Sequence, residues 1–235
     1  MKEITTSAII YRIYKYSDRS AVAMAFSPEF GKFKLFMPRA YSSKSGFMTF
    51  IPGTVTFQMK DNSDLHKFIS FAHEPSYYPY TQTPDIIMRL HLLFDFFDHL
   101  YAVGQGCKVF WQLCLKFDEG NYRKVLLYSI YRLLIDSGVN FHLACSRCGA
   151  DSGDMTLIGG ELFCTKCGRH DKRAIAISGG ALERLQTFAD NDKFRETEFD
   201  RDEELELLAI FNSHIDSVLG KAGVLKSYNV FMEVV

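Results

Sequence analysis

Two C-x-x-C pairs, Cys145/Cys148 and Cys164/Cys167, stand about fifteen residues apart. No other feature narrows the fold of this chain as much, because four thiolates at that spacing form a tetrahedral zinc ligand set. Each pair sets two sulfurs on one tight turn, and the second pair closes the shell. Gly149 and Gly168 follow the second cysteine of each pair, where a turn often needs a residue that tolerates positive φ. Four thiolates leave no open position for water or substrate, so the expected ion, one zinc, is structural rather than catalytic. His142 and His170 flank the pairs and are the alternative ligands. Two disulfides are the other reading. They need an oxidising compartment, and Met1 to Ile10 carries no basic stretch followed by a long apolar one and a small-residue cleavage site. Cys107 and Cys114 lie seven apart in an apolar stretch, which suits the core side of one helix.

A chain of 235 residues, 47% of them hydrophobic, makes one large domain or two modest ones around a real core. No run of about eighteen apolar residues is free of charge, so no membrane span is expected. The richest candidate, Ile86 to Val103, is interrupted by Arg89, His91, Asp95, Asp98 and His99. It reads as a buried helix with Asp95 and Asp98 on its surface. The formal net charge of −1 conceals an uneven distribution. Residues 1–60 hold nine basic side chains against three acidic, whereas residues 190–206 hold nine acidic against three basic. The positive first segment suits a polyanionic partner, and an ordinary solvated lysine face accounts for the same count.

The first seventy or so residues alternate apolar and polar with period two, the mark of half-buried strands. Ile9, Tyr11 and Ile13 fall on one face, and Val22, Met24 and Phe26 on another. After the turn Ser27 to Gly31, Phe33, Leu35 and Met37 point one way while Lys32, Lys34 and Phe36 point the other. Val55, Phe57 and Met59 alternate with Thr54, Thr56 and Gln58, and a last strand covers Lys67 to Phe71. About five short strands fit a small barrel, because closure removes exposed edges. An SH3-like barrel fits the count almost as well, since periodicity does not fix strand order.

Past the proline- and tyrosine-rich connector Pro75 to Pro84 the period becomes helical. Ile86, Leu90, Leu93, Phe94, Phe97 and Tyr101 recur at steps of three and four, with Pro84 at a helix start. Further helices are predicted at Val109–Phe117, Tyr122–Ser137 (stopped by Gly138), Gly180–Ala189 and Asp202–Leu219 (stopped by Gly220). The acidic stretch Asp190 to Asp202 reads as an exposed linker. The fold class is therefore α+β, with a five-stranded barrel over residues 1–76 and an all-α region over 77–235 carrying the zinc knuckle at about 143–173. The motifs of ordinary nucleotide and metal catalysis are missing from the chain: no G-x-x-x-x-G-K-[ST], no H-E-x-x-H, no G-x-S-x-G. Gly104-Gln105-Gly106 lacks the third glycine of a dinucleotide fingerprint.

Several strings, in order, resemble the RecO family of bacterial recombination and repair proteins. Thr6-Ser7-Ala8-Ile9-Ile10-Tyr11-Arg12 is similar to the family's first barrel strand, and Phe26-Ser27-Pro28-Glu29-Phe30-Gly31-Lys32 to its hairpin ending in Gly-Lys. Lys44-Ser45 sits where the family has a basic residue and a serine, and Leu219-Gly220-Lys221 with Leu225-Lys226-Ser227 resembles its ending. Met37-Pro38-Arg39-Ala40 departs from it, replacing a Lys-Gly and basic cluster. The resemblance implies an OB-fold barrel, a helical region with the knuckle, no catalytic centre and a cytoplasmic, nucleoid-associated place. It also implies the partners: single- and double-stranded DNA, RecR, the C-terminal tail of single-strand-binding protein, RecA indirectly, and no membrane.

The expected activity is then that of a non-enzymatic mediator that anneals complementary strands and, with RecR, helps load RecA on strands coated by single-strand-binding protein. Arg12, Lys15, Arg19, Lys32, Lys34, Arg39 and Lys44 are the candidate phosphate contacts, with Phe36 as a candidate stacking surface. Two other readings compete. One is a zinc-stabilised protein-interaction scaffold without direct DNA binding. The other is a magnesium-dependent nuclease, for which no carboxylate constellation is evident.

Overall fold

A computed structural model describes residues 2–41, 48–61, 63–78, 83–139, 142–168, 174–188 and 197–234. The chain divides into two compact units, Met1–Tyr122 and Arg123–Val235.

The first unit is built on five strands: β1 (Lys2–Lys15), β2 (Ala21–Ser27), β3 (Gly31–Met37), β4 (Pro52–Met59) and β5 (Leu65–His73). They close in the order β1-β2-β3-β5-β4. The long β1 makes closure possible: its first half pairs with β4 and its second half with β2, both antiparallel. The β3–β5 pair is parallel, which gives the five-stranded Greek-key barrel of the OB type. Ala8, Ile10, Ala21, Ala23, Ala25, Phe33, Leu35, Met37, Val55 and Phe57 fill its interior. Small alanines on β2 accompany large side chains on β3 and β4, the mixture of sizes that fills a narrow barrel.

Alternation places β2, β3 and β4 as expected but not β1. Ile9 and Tyr11 lie outside, whereas Ile13 packs on the interior cluster with Ile10. The reason is a register shift between Ile10 and Arg12, where β1 carries one residue more than β2. This bulge turns Tyr11 and Arg12 to the outside together. A similar shift lets both Phe68 and Phe71 of β5 reach the core.

Helices α1 (Pro84–Leu100) and α2 (Lys108–Cys114) cover one end of the barrel's outer surface. Tyr11 stacks on Phe94 at 4.6 Å, Phe26 meets Phe97 at 4.8 Å, and Phe97 stacks on Phe110 at 4.4 Å. Such aromatic pairs contribute about 1 kcal/mol each beyond the area they bury. Pro84 opens α1 at its first turn, and Cys107 caps α2 by accepting a hydrogen bond from the Phe110 amide at 3.4 Å. Of the two extra cysteines, then, only Cys114 is core.

The second unit combines α3 (Tyr122–Asp136, entered at the boundary), α4 (Gly179–Thr187), α5 (Arg201–Leu219) and α6 (Lys226–Val234) with a small sheet. That sheet, absent from the all-helical expectation, holds β6 (Met155–Ile158), β7 (Glu161–Cys164) and β8 (Ile175–Ile177) in the order β7-β6-β8. Gly159 and Gly160, both at positive φ, form the two-residue turn between β6 and β7. Asp200 and Glu203 make a reciprocal capping box on α5, and Gly220 ends it at φ 64°. Leu126, Leu127, Ile130, Leu182, Leu185, Leu207, Ile210 and Phe211 are buried.

Candidate metal centre and barrel face

The four cysteines come together at the base of the small sheet. Their Sγ atoms all lie within 4.8 Å of one another, and Cys148 and Cys164 approach to 3.6 Å. A tetrahedron with zinc–sulfur bonds of about 2.3 Å has edges of roughly 3.8 Å, so the donor set fits a single ion. Backbone hydrogen bonds shape both turns. The Gly149 amide donates to the Cys145 carbonyl at 2.8 Å, and the Gly168 amide to the Cys164 carbonyl at 2.7 Å. Ser146 donates to the Leu162 carbonyl at 2.8 Å, tying the first turn to β7.

Only one of the two glycines meets the expectation of positive φ. Gly149 has φ 74°. Gly168 does not fall in that region; a Cβ there would sit 3.3 Å from the Cys164 carbonyl oxygen and 3.4 Å from Thr156 Oγ1, so close packing is what the position requires.

The thiols share their protons unequally. A backbone hydrogen bond from Cys164, with others from Arg147 and Cys148, lowers Cys145 to about 6. At Cys164, desolvation is outweighed by hydrogen bonds from Cys148 and the Cys167 turn, and the net direction is down. Cys167 is raised to about 12 because its proton is held by Cys148 and Cys164. Metal uptake must displace such protons, so affinity rises with pH. Among the described residues this is the one cluster of three or more side chains able to hold a metal ion. His142 is exposed and lies at a cleft lined also by Cys145, Ser146, Glu161 and His214. His170 lies outside the described residues.

Residues 116–228 match the family model described as Recombination protein O C terminal. This match supports a RecO family protein with a role in recombination and repair. No curated protein matches the chain. Among the described residues no helix is long and apolar enough to cross a membrane.

The barrel cations have different neighbours. Arg12 is clamped by α1, with Nη1 donating to Asp98 at 2.9 Å and Nη2 to Asp95 at 3.2 Å. Lys32 lies on the outer side of β3, as alternation requires, but only 5% of it is exposed. Its Nζ donates to the Asp98 carbonyl at 2.8 Å, lies 3.6 Å from the Asp98 carboxylate and sits over the Phe97 ring. A cation there complements the C-terminal end of α1. Burial holds Lys32 below the ordinary lysine value, with Asp98 opposing.

Asp98 also accepts from Tyr11 Oη at 2.7 Å. Asp95 and Asp98 are thus not the solvated helix surface that their sequence suggested. They are the acidic half of a largely buried network. Gly31, beside Lys32, explains the Gly-Lys string: it has φ 65°, and a Cβ would come within 2.3 Å of the Gln105 backbone.

The rest of the candidate cations lie nearer solvent. Lys34 pairs with Asp64 at 2.6 Å and Lys15 with Asp18 at 3.0 Å. Arg19 and Arg39 are exposed and form no ion pair among the described residues. Lys44 lies outside the described residues. Phe36 is partly exposed, with Tyr16 edge-on at 5.6 Å. Sequence reasoning passed over Tyr14 and Tyr16, half or more exposed, and Lys67. Single-strand alternation puts them outside, but only strand register shows which of them are neighbours.

Proposed function

We propose that this protein is a non-enzymatic mediator that holds DNA while protein partners are exchanged on it. In this reading the barrel binds single- and double-stranded DNA, complementary strands are annealed, and RecA is loaded with RecR on strands coated by single-strand-binding protein. The observation that carries it is the conjunction of an OB barrel with a second unit that matches the family's C-terminal model. Of the seven cations inferred from sequence, Lys15, Arg19, Lys34 and Arg39 remain as phosphate contacts, because Arg12 and Lys32 serve Asp95 and Asp98; Lys44 keeps its place by position alone. Neutralised phosphates release counterions, so binding should weaken steeply with salt.

Cys145, Cys148, Cys164 and Cys167 hold one structural zinc in this account. When bound, the ion supplies the cross-link between two turns and takes no part in chemistry. The ion pairs of Asp95 and Asp98 weigh against the nuclease reading, since a magnesium site needs carboxylates with lone pairs to spare. The tied Arg12, Lys32 and Lys34 favour a protein-binding scaffold as the second reading. Annealing of complementary strands precoated with single-strand-binding protein, with and without RecR, separates the two. A mediator accelerates annealing and responds to RecR. Inertness in both arms, with no DNA retained at low salt, rejects mediation in favour of the scaffold.

A further inference from the structure

We propose that the open part of the barrel's outer face is a stacking surface for unpaired bases, and that Tyr14, Tyr16 and Phe36 give it preference for single strands over duplex. This rests on the DNA-binding role and adds the form of nucleic acid and the residues that choose it.

Strand register carries the argument. Tyr14 is paired with Val22, Val22 with Phe36, Phe36 with Lys67, and Lys67 with Gln58. Residues directly opposite in neighbouring strands point to the same side of a sheet. The flanking Ala21, Ala23, Leu35 and Met37 fill the interior, so this row runs across all five strands on the outside. Spacing between strands of about 4.8 Å makes it a continuous band. Tyr16 stands edge-on to Phe36 and extends the band into the β1–β2 turn. The covered end of the same surface, with Tyr11, Phe26 and Lys32, is occupied by α1 and α2.

Charge decides what kind of partner fits. Lys67 lies within the row, Lys34 occupies the adjacent row opposite Met24, and Lys15 and Arg19 flank Tyr16 in sequence. Asp18 and Asp64 pair with Lys15 and Lys34, and the exposed Glu3 stands opposite Gln58 at the far end of the row. Exposed rings set among cations suit a ligand that alternates flat aromatic groups with anions. Single-stranded nucleic acid is such a ligand: bases stack on the rings while phosphates meet the ammonium groups. In a duplex the base faces are already stacked on one another, leaving only phosphate contacts.

The test compares full-length protein with Tyr14→Ala/Tyr16→Ala and Tyr14→Phe/Tyr16→Phe double variants. Each is titrated with an oligothymidylate of about twelve nucleotides, an abasic oligomer of the same length and a duplex. Both tyrosines are at least half exposed, so truncation leaves the melting temperature nearly unchanged. The parent is expected to bind the thymidylate about tenfold more tightly than the abasic strand, in line with loss of one or more stacked bases. The alanine variant should lose that margin and the phenylalanine variant keep it, with duplex affinity and salt slope the same in all three. Equal affinity of the parent for thymidylate and abasic strand, or a margin retained by the alanine variant, overturns the stacking surface while leaving DNA binding intact. Absence of binding to every strand overturns both.

Discussion

The barrel and the knuckle sheet hold together by different means. Strands of seven to fourteen residues enclose eleven buried side chains in the barrel. The knuckle sheet has strands of three and four residues, with Met155, Leu157, Leu162 and Ile177 as its buried apolar groups. Three such short strands need an apolar face packed on other structure to be stable in water, and small units commonly substitute a metal for missing core. A barrel of this kind folds on apolar area. The knuckle is predicted to depend on metal held by its four sulfurs, and this is the largest expected effect.

Purified protein should carry close to one zinc per chain. Cys145→Ser or Cys164→Ser, or strong chelation, should abolish the cooperative unfolding of the second unit and spare the barrel's transition. Zinc in a four-ligand structural site contributes about 10–16 kcal/mol to folding, at least as much as the roughly 6–12 kcal/mol that burial of those four apolar side chains supplies. Metal analysis with calorimetry checks this. Stoichiometric zinc in both serine variants breaks the contrast between the two regions.

Gly31→Ala is the corresponding break for the barrel. A side chain there meets positive φ and the Gln105 backbone at 2.3 Å, and backbone yields less readily than a flexible side-chain end. A loss of about 4 kcal/mol is expected from strain plus displacement of the loop, read by denaturant titration. A loss below about 1 kcal/mol would show that this loop is not fixed against the hairpin.

How much of this was legible beforehand depends on the range of the physics involved. Phe33, Leu35 and Met37 could be assigned to the interior because period two is local to one strand. The sulfur tetrad was legible because ligand spacing is itself chemistry. Ile9, Tyr11 and Ile13 were misread because one extra residue at a bulge inverts a pattern. Strands β6 to β8 went unseen because three or four residues are too few to show a period. Asp95, Asp98 and Lys32 looked like solvated charge, and only their contacts across the unit reveal a buried network. The row from Tyr14 to Gln58 exists only in the register of five strands.

The two units should also differ in their response to pH. Burial, with a contribution from His142, lowers His214 to about 4. An unfolded histidine takes up its proton near pH 6.5, so stability of the second unit is intact above that value and is lost as pH falls toward 4. The expected loss is about 3 kcal/mol, and His214→Gln should flatten the slope. In the barrel unit the sign is the same, but the window lies at higher pH. Lys32 is lowered by burial, so its desolvation cost applies while it is charged and is relieved as pH rises through its lowered value toward the ordinary one. Stability measured from pH 4 to 7 on the parent and His214→Gln tests the first half; parallel curves would remove His214 as the cause.

The smallest effect separates two lysines on one strand. Lys32 and Lys34 share the outer side of β3, but Lys32 is enclosed by α1 whereas Lys34 meets Asp64 in the open. An exposed pair adds little to stability, so Asp64→Asn should scarcely alter it. It removes, however, the carboxylate that competes with a phosphate for the Lys34 ammonium. Affinity for a short single strand should rise two- to fivefold in Asp64→Asn, with the salt slope steeper by up to one phosphate contact. Lys32→Met should do the reverse, costing stability with little change in affinity. If Asp64→Asn leaves affinity and slope untouched while Lys32→Met weakens binding at unchanged stability, the enclosed lysine is the DNA contact and the open one is not.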